Sequence, residues 1–188
     1  MNSKAHFNPK SRTWVISLVV MILLSVAVIF ATITISKIAN EKNNQTIVPD
    51  FTVSRTIPIA VDENELGVTG VEKALDSQNN IVAYVIKQEV IGYNQEIPIE
   101  MATTITSDAS VVCGIEILSQ KETEYLGVRI KDDSFTNQFS GKMLPIKDSN
   151  SILKGSSVDL IARSTVSSQA VVDGVNNAQV YVQTYLAD

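Results

Sequence analysis

Between Trp14 and Ile35 the chain runs for 22 residues without a charged side chain. At about 1.5 Å of rise per residue, a helix of that length crosses roughly 30 Å of hydrocarbon. The run therefore predicts a transmembrane helix. A cleaved leader is the competing reading, since Lys4, Lys10 and Arg12 precede the run, but the apolar core of a leader is usually only about 7–15 residues long. Three basic residues before the span against Lys37 and Lys42 after it favour an N-terminus on the cytoplasmic side. The polar, aperiodic stretch Glu41-Lys42-Asn43-Asn44-Gln45 reads as a stalk. The expected organisation is a tail over residues 1–13, a span over 14–36, a stalk over 37–50 and a single folded domain over 51–188, long enough to bury a core of its own.

Charge divides along the same line. Residues 46–188 carry ten basic and nineteen acidic side chains, a formal charge of −9. Such a domain is a poor partner for nucleic acid. The one histidine, His6, lies in the basic tail before the span, so the domain offers no histidine for a metal site or a Ser–His–Asp triad. Cys113 is the only cysteine and sits in the apolar run Ala109–Leu118, which predicts a buried structural thiol.

Hydrophobic patterning predicts an α+β domain. Ile81–Ile86, Ile97–Ile105 and Val111–Leu118 are apolar, branched runs separated by clusters of turn formers. They read as three strands of an antiparallel meander with helices packed on it. Asp132–Gln138 reads as a short helix capped by Asp132 or Asp133. Near the C-terminus, Val171, Val172, Val175, Ala178, Val182 and Tyr185 recur at helical spacing behind Ser167-Ser168, which predicts a serine-capped helix over Gln169–Tyr185. Gly174 weakens that helix slightly. A helix starting just after Thr165 presents unpaired N–H groups and a positive dipole end suited to a phosphate, although an ordinary capped surface helix has the same signature.

The order of these segments resembles a known family. The succession Ile81–Tyr93, Ile97–Ile105, Val112–Ser119, Glu122-Thr123 through Leu126-Gly127, and Gln138-Phe139-Ser140-Gly141-Lys142 is similar to the FMN-binding domain of the G-type subunit of the Rnf electron-transport complex. It is also similar to the C-type subunit of the sodium-pumping NADH:quinone reductase. Members carry FMN joined by its phosphate to a threonine in a motif written Asp-x-x-Ser-Gly-Ala-Thr-x-Ser, followed by a helix. Here the matching stretch is Asp159-Leu160-Ile161-Ala162-Arg163-Ser164-Thr165-Val166-Ser167. Thr165 holds the acceptor position, and Asp159 and Ser167 match. Ala162, Arg163 and Ser164 replace serine, glycine and alanine, while Glu124 and Tyr125 replace a proline and a glycine between Glu122-Thr123 and Leu126-Gly127.

The resemblance implies a single-pass flavoprotein of the cell membrane with an extracytoplasmic domain. It would be the electron-carrying subunit of an ion-translocating ferredoxin:NAD oxidoreductase, working with the other subunits of an Rnf-type complex and with a flavin-attaching enzyme. It further implies covalent FMN on Thr165, with Ser164, Val166 and Ser167 around the linkage. Glu122, Thr123, Leu126 and Gly127 would lie at the isoalloxazine, and Lys142 near the phosphate. Two readings of Arg163 stand open: a cation that neutralises the phosphate, or the mark of a structural or assembly subunit that keeps the fold without flavin. A membrane-tethered domain that binds a solute or lipid is a third possibility, resting on the meander-plus-helix layout alone.

Overall fold

A computed structural model describes residues 50–186. The expected tail, the span and the stalk up to residue 49 lie outside the described residues. Among the described residues, no helix is long and apolar enough to cross a membrane.

The three expected strands are present as β3 (Ile81–Val90), β4 (Ile99–Thr106) and β5 (Val111–Ser119), each antiparallel to the next. Period-two patterning sets their register. Tyr84, Ile86, Gln88 and Val90 of β3 and Ile99, Met101, Thr103 and Ile105 of β4 are buried, while Lys87, Glu89 and Glu100 face outward. Two further strands extend the meander on one side, β1 (Arg55–Ile59) and β2 (Val68–Leu75), and the two-residue β6 (Lys142–Met143) pairs with β5 on the other. The sheet therefore has six strands in sequential order. A separate parallel pair joins β7 (Ile146–Asp148) to β8 (Ser156–Val158).

A single 3-10 turn (Gly127–Lys131) leads into the short helix α1 (Asp133–Thr136). Asp132 stands at the cap position of α1, without a side-chain hydrogen bond to the helix. The main helix, α2, spans Thr165–Tyr181 and continues as a π-helical turn over Val182–Leu186. It starts earlier than the expected Gln169. Ser164 occupies the cap position, and Ser167 and Ser168 lie buried inside the first turns. The reason is that their hydroxyls have other partners: Ser168 Oγ donates to the Ser164 carbonyl at 2.7 Å and Ser167 Oγ to Glu122 at 2.6 Å.

The core lies between the sheet and α2. Val171 and Val175 pack with Val90, Ile99, Met101 and Val112, and with Phe135 and Phe139, whose rings meet edge to face at 5.3 Å. Tyr181 and Ala178 form a second cluster with Val71, Tyr84, Ile86 and Ile105. Each large apolar side chain among these contributes about 1.5–3 kcal/mol by leaving water. Tyr181, not the expected Tyr185, takes the inward position, and its hydroxyl accepts the Asp62 N–H at 3.0 Å. Gly174 gives α2 its close approach: a Cβ there would meet Met101 Sδ at 2.8 Å and Val90 Cγ1 at 2.9 Å. The Gly174 carbonyl accepts a buried hydrogen bond of 2.9 Å from Gln88 Nε2. Asn176 ties β7 to the helix, its side-chain amide bonding both the N–H and the carbonyl of Ile146 at 2.8 Å.

Candidate functional site

The start of α2 is built by a tight turn. Ser164 N–H donates to the Ile161 carbonyl at 2.9 Å, closing a four-residue turn with Arg163 as its third residue at φ +65°. A turn whose second residue keeps an ordinary φ and whose third is positive favours glycine, because a Cβ crowds the backbone there. The turn from Thr123 to Leu126 repeats the pattern. Leu126 N–H donates to the Thr123 carbonyl at 3.3 Å, and Tyr125, the third residue, has φ +61°. Holding each residue in this left-handed region costs about 1–2 kcal/mol.

These two turns and the loop after β3 enclose a cavity of about 390 Å³, within the roughly 300–1,000 Å³ range of small-molecule sites. Tyr93, Thr123, Leu126 and Gly127 line one side and Arg163 to Ser167 the other. The structure thus gathers seven of the nine expected site residues in the wall: Thr123, Leu126, Gly127, Ser164, Thr165, Val166 and Ser167. Thr165 is exposed at the first position of α2, where the leading N–H groups have no intrahelical acceptor.

Glu122 stands behind the wall rather than in it. It is only 5% exposed, which rules out a solvated acidic loop at this position, whereas Glu124 is exposed. Its carboxylate accepts the N–H groups of Tyr93 and Asn94, both at 3.2 Å, and the Ser167 hydroxyl. One side chain therefore ties the β3–β4 loop to the first turn of α2. Glycine makes room for it, since a Cβ at Gly127 would meet Glu122 Cβ at 2.6 Å and one at Gly92 would strike the carboxylate.

Lys142 is not among the lining residues. Its main chain is committed to β6, paired with Val112. Tyr93 and Arg163 line the cavity without belonging to the expected set. The departure of Arg163 from the family motif is a signal for it, but Tyr93 sits in a turn-forming segment, Gly92–Glu96, whose composition gives its aromatic ring no role. Cys113, on β5, is half-buried rather than fully buried, and burial together with the Asp108 carboxylate pushes its thiol up to about 11. A thiol held this far above its ordinary range is a poor nucleophile at neutral pH.

The donors fit a flavin mononucleotide. Leu126, Val166 and Tyr93 supply apolar and aromatic wall for a planar ring, and the start of α2 with Arg163 supplies positive potential for a phosphate. Among the described residues, Ser164 Oγ is the buried side-chain polar atom left without a partner, and a ligand oxygen would satisfy it.

Residues 92–180 match the FMN-binding domain. The G-type subunit of the ion-translocating oxidoreductase complex of Methanosarcina acetivorans is 35% identical over 122 residues, which cover 65% of this chain and 63% of that protein. The G-type subunit of the Na(+)-translocating ferredoxin:NAD(+) oxidoreductase complex of Acetobacterium woodii is 30% identical over 128 residues, covering 63% of this chain and 60% of that protein. Each match thus spans less than two thirds of the relative's own length. Among solved structures, the C-type subunit of the Na(+)-translocating NADH-quinone reductase of Parabacteroides distasonis shares the fold at TM-score 0.55 and 16% identity, covering 80% of this chain and 93% of that one. NqrC of Shewanella oneidensis aligns at TM-score 0.51 and 14% identity, covering 74% and 76%.

Proposed function

We propose that this chain is the membrane-anchored, electron-carrying subunit of an Rnf-type ion-translocating ferredoxin:NAD oxidoreductase, with FMN joined through its phosphate to Thr165. The observation that carries this reading is the position of Thr165. It opens α2, its exposed side chain lines the cavity, and its hydroxyl makes no hydrogen bond to any other described residue. The FMN-binding domain match over 92–180 and the two G-type relatives support the reading.

When bound, FMN supplies one- and two-electron redox chemistry at its ring. The residues of the chain position it and offset its charge. Thr123, Leu126 and Val166 flank the ring, Glu122 and Gly127 keep the wall in place, and Ser164 and Ser167 border the linkage. In this reading residues 1–13 are cytoplasmic, 14–36 span the membrane, 37–50 form the stalk, and 51–188 fold on the extracytoplasmic side. A flavin-attaching enzyme and the other subunits of the complex are its partners. Reconstituting the complex with Thr165→Val is expected to remove the flavin from this subunit and stop electron flow; unchanged flavin content with unchanged electron flow contradicts the reading.

The sequence Ala162-Arg163-Ser164 favours a second reading, a structural or assembly subunit that keeps the fold without covalent flavin. On that reading the band of this subunit, from denatured native complex, shows no flavin fluorescence.

A further inference from the structure

The end of the cavity at α2 holds more donors than an ester to Thr165 requires. Arg163 is the only charged side chain among the nine lining residues, in a domain where acidic groups outnumber basic ones nineteen to ten. It is exposed and has no hydrogen bond or ion pair to any described residue. The left-handed turn that carries it suits glycine better, so the backbone conformation is kept in spite of the side chain. Beside it, Ser164 is 6% exposed, lines the same cavity, and has a hydroxyl with no partner. The leading N–H groups of α2 complete the set. A guanidinium, a buried hydroxyl and helix N-terminal amides together match the oxygens of a phosphate monoester.

Building on the flavin reading of the cavity, we propose that Arg163, Ser164 and the first amides of α2 form a noncovalent subsite for the terminal phosphate of FMN. The unmodified domain then selects phosphorylated flavin from solution before any bond to Thr165 is made. Arg163 contributes by charge, so the selection weakens with salt as exposed charges are screened.

The test uses the full-length chain, purified in detergent from a host without a flavin-attaching enzyme and shown by mass to be unmodified. FMN and riboflavin are each titrated against it and followed by flavin fluorescence. FMN is expected to bind roughly 10- to 100-fold more tightly than riboflavin at low salt, with the preference shrinking at high salt. Arg163→Gln is expected to lower FMN affinity about tenfold, the loss of one charge-assisted contact, and to leave riboflavin affinity unchanged. Arg163→Gly, which suits the turn, is expected to show the same loss in a chain at least as stable to heat as the wild type. Equal affinity for the two flavins, FMN affinity unchanged in both variants, or no binding of either flavin would overturn the proposal. Covalent attachment is read separately, by the mass of the chain made together with the attaching enzyme, so either idea fails without the other.

Discussion

Glu122 shows how much one side chain contributes to the site. Its carboxylate accepts three hydrogen bonds from two segments of chain, two of them from main-chain N–H groups. Glu122→Gln keeps the volume but turns one acceptor into a donor facing those groups, so it is expected to destabilise the domain by about 1–3 kcal/mol in urea denaturation. Ser167→Ala leaves the main-chain donors satisfied and is expected to cost less, about 1 kcal/mol. Cys113 gives a pH-dependent prediction. Its thiol pKa is raised from 9.0 to about 11 in the folded state, first by burial and then by Asp108. The group's contribution to stability is therefore complete below about pH 9 and is lost as pH rises through about 11. Alkylation of the native chain at pH 8 is expected to be slow, and to quicken in denaturant, when followed by mass. At this scale Thr165 is legible in the sequence, because its motif spacing and the helix behind it are sequence properties. The left-handed turns at Tyr125 and Arg163 are not, because a tyrosine or an arginine carries no mark of positive φ.

Among the elements, α2 does most to organise the site, since it both opens at Thr165 and closes the core. Gly174→Ala tests its fit against the sheet. Alanine gains about 1 kcal/mol in helix propensity, while overpacking against buried Met101 and Val90 costs about 1–3 kcal/mol. The net effect expected in a thermal melt is a loss of about 1 kcal/mol. The strands β3 to β5 are legible from their apolar runs, but β1 and β2 are not. β1 is an edge strand with four of its five residues exposed, and β2 breaks its alternation at register shifts after Val68 and Ala74. The start of α2 falls a few residues before the expected one because serine is a strong cap signal wherever it occurs. Here Ser164 takes the cap position and the hydroxyl of Ser167 is bound by Glu122, 45 residues away in sequence. A contact of that range leaves no local trace.

For the whole molecule, the family match, the cavity and the exposed threonine at the head of α2 support the proposed electron carrier. In the proposed role the chemistry is that of the bound flavin and the protein provides position. The proposed anchor suits the same role: a tethered domain stays within reach of neighbouring subunits through linker length alone, without a large interface. The measurement closest to the central claim is intact mass of the chain produced with its cognate flavin-attaching enzyme, wild type beside Thr165→Val, followed by peptide mapping. The expected result is a mass increase of one FMN residue on the peptide containing Thr165, absent from the variant. An unmodified wild-type mass, with the enzyme shown to be active on another target, would contradict it.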